Sequence, residues 1–316
     1  MYMCRLFFFW NESQPVLSKH IIRFLEQSVH DSRNTPGIEG DDYHTHLDGY
    51  GIAGFRPETG RWSIYKSPDV YHIDSKYSRV LDHFSTFPFV VGHIRNATEQ
   101  STIHPINTYE NTHPFYYKNQ VFMHNGKIQD FQAKRHIIIG AIDTDLQKQI
   151  RGNTDTELLF YLFLSNIREY SNHSTYSETG ILQHALLMTL EFLQKHFHLV
   201  LCNIIYANKT HALFTRYIYE KNARRRREPP SLYWNMTTNS DELRSLEFPR
   251  IPSTPKGTCV TSSPKYFAHS NINKHTNHQK KWVITSEPIV HTQTLVPQNT
   301  LGILEIKSGV MSISSL

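Results

Sequence analysis

Hydrophobic residues along the chain follow a strand-like pattern near both ends and a helical pattern in the middle. Short runs of aromatic and β-branched residues, each bounded by turn residues, are typical of strands. These runs predict strands at 5–10, 51–55, 62–66, 89–94, 120–124, 199–206, 211–217, 231–236, 258–262, 282–286, 301–306 and 310–314. Apolar residues at helical spacing predict helices within 17–29, 156–167 and 180–197.

The order of these elements indicates the fold class. Strands come first, helices follow and strands return, with no helix between most consecutive strands. This order favours antiparallel sheets with helices packed outside them over a doubly wound parallel sheet. Two polar stretches rich in Ser, Pro, Asn and His, 239–256 and 268–281, are predicted to be surface loops.

The composition is that of a globular chain with an aromatic core. Its 316 residues suffice for one large domain or two ordinary ones, and 18 Phe and 17 Tyr compensate for an apolar fraction of 39%. No apolar run approaches the roughly 20 residues needed to cross a bilayer. The net charge of +5 is modest and does not require nucleic acid. The four arginines at 224–227 are interpreted as a solvated cluster in preference to a nucleic-acid or nuclear-import patch.

The cysteines and histidines indicate the redox compartment of the protein and whether it binds a metal. The three cysteines, Cys4, Cys202 and Cys259, are too few and too scattered for a disulfide framework or a thiolate metal cage. Because no export signal precedes them, we expect a reducing, cytoplasmic location. None of the 20 histidines joins carboxylates or thiolates at a convincing ligand spacing, so we expect no bound metal.

Cys4 lies at the extreme N-terminus, directly before the first predicted strand. A free cysteine beside a strand is usually a small buried hydrophobic residue. Its position allows a second interpretation, because in a chain that begins at Cys4 the α-amino group lies within reach of its own sulfur. With a reference pKa of about 7.7–8.0, that amine can act as a base for the thiol.

Three further segments each allow a structural and a chemical interpretation. Arg95 follows a predicted strand and is either a surface residue or a bidentate partner for a carboxylate. Asn125 and Gly126 form a hairpin-turn signal, but their amide and backbone N–H also suit an oxyanion hole. Thr154 or Asp155 is a candidate helix N-cap, and Asp155 is equally a candidate acceptor for the ammonium of an amino-acid substrate.

Taken together, these segments resemble the class II, N-terminal nucleophile glutamine amidotransferases. The motifs that carry the resemblance are Met3-Cys4, Asp48-Gly49-Tyr50-Gly51-Ile52, His93-Ile94-Arg95-Asn96-Ala97-Thr98, Asn111-Thr112-His113-Pro114-Phe115, His124-Asn125-Gly126 and Thr154-Asp155-Thr156-Glu157. Residues 230–234 and 286–289 are similar to segments of the stand-alone subfamily, which includes the amidotransferase subunit of the fungal glutathione-degradation complex. The resemblance spans nearly the whole chain. It implies an α+β fold, a four-layer αββα sandwich of two stacked antiparallel sheets with helices on both outer faces.

The resemblance also implies a reaction. Cys4 would attack the γ-carbonyl carbon of glutamine or of a γ-glutamyl peptide and form a thioester, and its α-amine would carry the proton to the leaving nitrogen. Asn125 and Gly126 would hold the oxyanion. No cofactor is implied. The chain shows no synthetase or sugar-isomerase domain, so transfer of ammonia or of the glutamyl group would require a partner protein such as a peptidase or a synthetase.

Substrate-binding roles come from the same resemblance. Arg95 would bind the α-carboxylate and Asp155 the α-ammonium, leaving the far side of the amide open. Thr98 and His113 would support that pocket, although a purely structural histidine explains His113 equally well.

The start of the chain departs from the family pattern, because Met1 and Tyr2 precede Met3-Cys4. Methionine excision generally requires a small second residue, and Tyr2 should block it. Either translation begins at Met3, which is the simplest interpretation, or another protease trims the chain, or this copy is inactive. We therefore expect one domain over residues 4–316. The alternative function is a non-catalytic γ-glutamyl-binding regulatory subunit in which Cys4 is never exposed.

Overall fold

The structure is a computed structural model. It describes residues 4–12, 14–28, 46–96, 107–172, 176–222, 228–237, 280–289 and 293–316. The strands in these ranges are β1 (Arg5–Asn11), β2 (Tyr50–Arg56), β3 (Arg61–Ser67), β4 (Phe89–Ile94), β5 (Phe115–Tyr117), β6 (Gln120–Ile128), β7 (Leu199–Ala207), β8 (His211–Glu220), β9 (Tyr233–Thr237), β10 (Lys281–Thr285), β11 (Thr294–Leu295), β12 (Thr300–Glu305) and β13 (Val310–Ser315). The helices are α1 (Ser18–Glu26), α2 (Tyr77–Phe84), α3 (Phe131–Ala141), α4 (Thr144–Gln147), α5 (Asp155–Ser171) and α6 (Glu178–His196).

The strands form two antiparallel sheets. The first has the order β11-β9-β10-β1-β4-β2-β3, and the second has the order β13-β12-β8-β7-β6-β5. In the first sheet β1 lies between β10 and β4, and the register pairs Arg5 with Ile94. The beginning of β1 therefore lies beside the end of β4, so Cys4, which precedes β1, lies close to Asn96, which follows β4.

The sheets stack face to face with helices on both outer surfaces. Leu6 and Phe8 on the inner face of the first sheet share one apolar core with Met123 and Phe214 of the second. A second core joins the outer face of β6, β7 and β8 to α3, α5 and α6, and a third joins the outer face of β1, β2 and β4 to α1 and α2. Alternation along each strand places one set of side chains in each core, because successive residues point to opposite faces. The four-layer αββα prediction is confirmed.

Most predicted elements are present, with differences at particular positions. The pattern missed α2, α3, α4, β5 and β11. Strand β6 runs through Asn125 and Gly126 to Ile128, so the interpretation of Asn-Gly as a hairpin turn is wrong. The prediction that 268–281 is entirely loop is also wrong at its end, since Lys281 begins β10. The predicted strand at 258–262, the predicted loop at 239–256 and the arginines at 224–227 lie outside the described residues.

No helix within the described ranges is long and apolar enough to cross a membrane.

Burial of His20 in the core makes the stability of the folded protein depend on pH. It lies on α1, is almost fully buried, and stacks on the ring of Phe9 with centroids 5.8 Å apart. Neither of its ring nitrogens has a hydrogen-bond partner among the residues described. Burial, with smaller contributions from the charges of Lys281, Lys19 and Arg23, lowers the pKa of His20 to about 3. The imidazole is therefore neutral in the folded protein above that pH.

We expect His20→Leu to reduce the acid sensitivity of the fold. Below about pH 6.5 the unfolded chain gains a proton on His20 that the folded chain does not, so native stability falls by about 1.4 kcal/mol per pH unit from this residue. Urea unfolding at pH 7.5, 6 and 5 should show a shallower decline for His20→Leu than for wild type. His136→Gln, which alters an exposed histidine on α3, is the control and should follow wild type. Parallel curves for wild type and His20→Leu would contradict a depressed pKa.

Candidate active site

Cys4 lies at the meeting point of β1 and β4. Its Sγ lies 3.3 Å from the backbone N of Asn96, which donates to it, and 3.5 Å from the Asn96 carbonyl oxygen. Burial raises the pKa of the Cys4 thiol; the Asn96 N–H and the charge of Arg95 lower it in part, and the charge of Asp155 raises it. A thiol with a raised pKa needs a base before it can act as a nucleophile.

Arg95 provides a buried positive charge next to this thiol. Its Nη1 donates to Asn107 Oδ1 at 3.0 Å, and Asn107 Nδ2 in turn donates to Asp48 Oδ1 at 3.0 Å. The backbone of Arg95 is also held, because its N–H donates to the Gly49 carbonyl at 2.9 Å. Burial lowers the pKa of Arg95, while the charges of Cys4, Asp48 and Asp155 raise it. The guanidinium is buried and donates to Asn107, so the interpretation of Arg95 as a surface residue is wrong.

Asn125 projects from β6 and is almost completely buried. Its Nδ2 lies 3.4 Å from Ser286 Oγ, and the same Oγ accepts the backbone N–H of Leu6 at 2.9 Å. Its Oδ1 has no hydrogen-bond partner in the part of the chain that the structure describes. Leu6 lies two residues after Cys4, so Ser286 links the amide of Asn125 to the strand that begins next to the thiol.

Gly126 has a structural reason to be glycine that is independent of chemistry. A Cβ at this position would lie 1.8 Å from the carbonyl oxygen of Leu201 on β7 and 2.4 Å from His124 Nε2. Those contacts are far shorter than any real Cβ contact, so any larger residue would push β6 and β7 apart.

Asp155 opens α5 without being its cap. Thr154 is the N-cap, and its side chain accepts the Glu157 N–H at 3.2 Å. Asp155 Oδ2 accepts the N–H of Ile128 at the end of β6, at 3.3 Å. Of the two candidates for the cap, the structure selects Thr154. The negative charge of Asp155 also raises the pKa of Cys4 and the pKa of Arg95.

His113 lies in a buried stack of rings. Its ring stacks on His93 with centroids 3.8 Å apart and meets Phe115 edge-on at 4.9 Å. Neither ring nitrogen of His113 has a hydrogen-bond partner within the described ranges. Burial lowers the pKa of His113 well below its usual value, and burial lowers the pKa of His93 to about 3. Both rings are neutral in the folded protein, which fits a packing role for His113; its pocket role stays a prediction.

The remaining expectations concern Thr98, the other two cysteines and the absence of a metal. Thr98 and Cys259 lie outside the described residues. Cys202 is fully buried on β7, and burial raises its pKa well above the usual value for a thiol. Among the residues that the structure describes, no group of three or more His, Cys, Asp or Glu side chains could hold a metal ion.

Sequence reasoning missed Asn107, Asn96 and Ser286 as parts of the site. Asn96 and Asn107 are joined to Cys4 and Arg95 by hydrogen bonds that no local pattern indicates. Ser286 lies in a segment that the stand-alone subfamily resemblance had singled out, and that was the available signal.

The stacked pair of antiparallel sheets between helix layers is the fold of the N-terminal nucleophile amidotransferases, and Cys4 directly precedes one of its central strands. The chain belongs to the class-II glutamine amidotransferase family, because the family model described as Glutamine amidotransferases class-II matches residues 37–240. Among curated proteins, it is 23% identical over 321 residues to the Saccharomyces cerevisiae protein named "Probable glutamine amidotransferase DUG3", covering 95% of this chain and 81% of that one.

Several solved structures share the fold, including the following two. A glutamine aminotransferase class-II domain protein from Silicibacter pomeroyi superposes with a TM-score of 0.54 at 18% identity, over 99% of both chains. A structure described as the allosteric regulatory enzyme of purine biosynthesis superposes with a TM-score of 0.51 at 14% identity, over 99% of this chain and 49% of that one. At these identities the likeness is one of fold.

Proposed function

We propose that this class II amidotransferase hydrolyses a γ-glutamyl amide, either glutamine or a γ-glutamyl peptide, through a thioester on Cys4. We further propose that the active chain is a single domain that begins at Cys4. The observation that carries the proposal is the grouping of three residues from distant parts of the chain. Cys4 Sγ accepts the N–H of Asn96, the residue after Arg95, at 3.3 Å, and the charges of Arg95 and Asp155 both act on that thiol, so a thiol, a cation and an anion lie close together.

The chemistry begins with activation of the thiol. The α-amine of Cys4 accepts the thiol proton, and the thiolate attacks the γ-carbonyl carbon. The carbonyl oxygen becomes an oxyanion, which the Asn125 Nδ2 and the Gly126 N–H stabilise by hydrogen bonding. Collapse of this intermediate breaks the C–N bond, and the α-ammonium returns its proton to the leaving nitrogen. Water then attacks the thioester by the same path, releasing glutamate and restoring the thiol.

The charges at the site suit an amino-acid head group. A buried guanidinium such as Arg95 pairs well with a carboxylate, because its planar fork donates two parallel hydrogen bonds. Asp155 complements the α-ammonium at the same end of the substrate. Together they recognise the zwitterion of the glutamyl group and place no demand on the substituent of the amide nitrogen. This favours both glutamine and γ-glutamyl peptides as substrates.

The likeness to the yeast amidotransferase and to the stand-alone subfamily motivates two wider proposals. We infer that the protein acts in the cytoplasm as the amidotransferase subunit of a complex concerned with glutathione-type γ-glutamyl peptides. A peptidase or synthetase partner would then take up the released product.

The Asp155→Asn substitution tests how the substrate is recognised. It keeps the size of the side chain and removes its charge, so we expect KM for glutamine to rise about tenfold or more, the range for losing a hydrogen bond to a charged group. Glutaramate, which keeps the carboxylate and the amide but lacks the α-amine, should be a poor substrate for wild type. Asp155→Asn should lose little further activity on it.

Asp145→Asn is the matched control for the Asp155 experiment. Asp145 lies on α4, is exposed and pairs with Arg168 at 2.8 Å, so its loss of charge should leave both substrates unaffected. Equal losses of activity on glutamine and glutaramate in Asp155→Asn would show that Asp155 serves only the structure around α5. Absence of ammonia release from wild type with glutamine, together with absence of glutamate release from a γ-glutamyl peptide, would refute the proposed reaction.

A further inference from the structure

Ser286 connects Asn125, the proposed oxyanion donor, to β1, the strand that begins next to Cys4. Its Oγ accepts the N–H of Leu6 at 2.9 Å and lies 3.4 Å from Asn125 Nδ2. Its own N–H donates to the Leu6 carbonyl at 3.0 Å, which continues the pairing of β10 with β1. The side chain is fully buried, so water does not compete for these bonds.

The segment that carries Ser286 is held on both sides. On one side, β10 pairs with β1 from Phe7–Thr285 onward. On the other side, Glu287 is buried, lies 3.7 Å from the guanidinium of Arg5, and accepts the hydroxyl of Ser231 at 3.4 Å. The Ser286 hydroxyl is therefore a fixed point relative to β1.

A primary amide nitrogen carries two N–H groups. If one N–H of Asn125 is used on Ser286, the nitrogen is held in place and the second N–H remains for an oxyanion. An oxyanion donor is effective only when its position is set before the charge develops, because it then needs no reorganisation during the reaction. Displacements of about 1 Å at such a group can cost roughly a hundredfold in rate.

We propose that Ser286 is a positioning residue that fixes the Asn125 amide relative to β1, the strand that begins next to Cys4. This role rests on the proposed function, in which Asn125 stabilises the oxyanion. Ser286 does not touch the substrate. It acts through Asn125, so removing its hydroxyl should reduce the stabilisation of the transition state without weakening substrate binding.

The Ser286→Ala substitution tests this role. We expect kcat for glutamine to fall between about tenfold and a hundredfold, while KM changes less than about twofold. The effect should depend on Asn125: in an Asn125→Ala background, adding Ser286→Ala should lower kcat by less than about twofold. Ser165→Ala is the matched control, because Ser165 is also buried, on a helix, and accepts a backbone N–H, that of Asp143, at 2.9 Å.

The outcomes separate this inference from the proposed function. An active wild type in which Ser286→Ala behaves like Ser165→Ala, or in which Ser286→Ala lowers kcat equally with and without Asn125, would overturn the positioning role alone. If Ser286→Ala instead reduced the yield of folded protein, active-site titration would give kcat per folded molecule. That value would still distinguish a positioning role of Ser286 from a purely structural one. A wild type that does not hydrolyse γ-glutamyl amides would overturn the proposed function and the positioning role together.

Discussion

The Cys4→Ala variant is expected to lose hydrolysis of glutamine almost entirely, by roughly 10⁴-fold or more, the scale for removing a nucleophile. Without the sulfur no thioester forms, and the α-amine has no thiol to deprotonate. Cys202→Ala is the matched control. Cys202 is fully buried on β7, so its loss should lower stability and leave kcat unchanged. Ammonia release measured at equal concentrations of folded protein distinguishes the two effects.

Covalent labelling identifies the nucleophile directly. The glutamine mimic 6-diazo-5-oxonorleucine should add to Cys4 and not to Cys202, and peptide mapping locates the adduct. Labelling at Cys202 would show that the nucleophile was wrongly assigned. The intact mass of active protein from its natural source should correspond to a chain that begins at Cys4. Full activity from a homogeneous sample that retains Met1-Tyr2-Met3 would rule out the α-amine as the base.

Asn125→Ala is expected to lower kcat and kcat/KM together by about 10²–10³-fold, which corresponds to roughly 3–4 kcal/mol in the transition state. KM should change little, because the amide donates to charge that is absent from the ground state. Steady-state kinetics on glutamine over a range of concentrations separates kcat from KM.

The chain offers a close control for Asn125. Asn203 lies directly opposite it on β7 in the strand register, is also fully buried, and donates to the carbonyl oxygens of Pro230 and Ser231. Asn203→Ala should therefore destabilise the fold and leave kcat per folded molecule near that of wild type. Equal effects of the two substitutions on stability, with no difference in kcat, would show that Asn125 is a structural amide and not an oxyanion donor.

Elements with strong local periodicity could be predicted from the sequence. Strands β1 and β4 and the pair β7 and β8 are recognisable from their runs of aromatic and β-branched residues, because each strand places one set of side chains in each core. Helix α3 could not be predicted in this way. Its buried positions are only Phe131 and Ile138, and the run Ile137 to Ile139 is β-branched, which resembles a strand.

In β6, pairing with β7 outweighs the local turn preference of the Asn-Gly pair. Asn125 and Gly126 favour a tight turn in isolation, yet β6 continues through them because β7 pairs with it as far as Ile128. Gly126 is required there by the approach of the Leu201 carbonyl and not by a positive φ. A pattern within one segment contains no information about how closely a second strand approaches it.

The fold class could be predicted from the sequence, and the motifs that resemble the class II amidotransferases supplied the candidate site residues, because motifs and hydrophobic periodicity are properties that each segment carries alone. Cys4, Arg95, Asn125 and Asp155 were predicted as site residues in this way. The environment of these residues depends on the tertiary fold. The link from Leu6 to Ser286 joins residues 280 positions apart, and the burial that raises the pKa of Cys4 arises where β1 meets β4. Hydrogen-bond partners and desolvation depend on which distant elements pack together, and that packing is set by the whole fold.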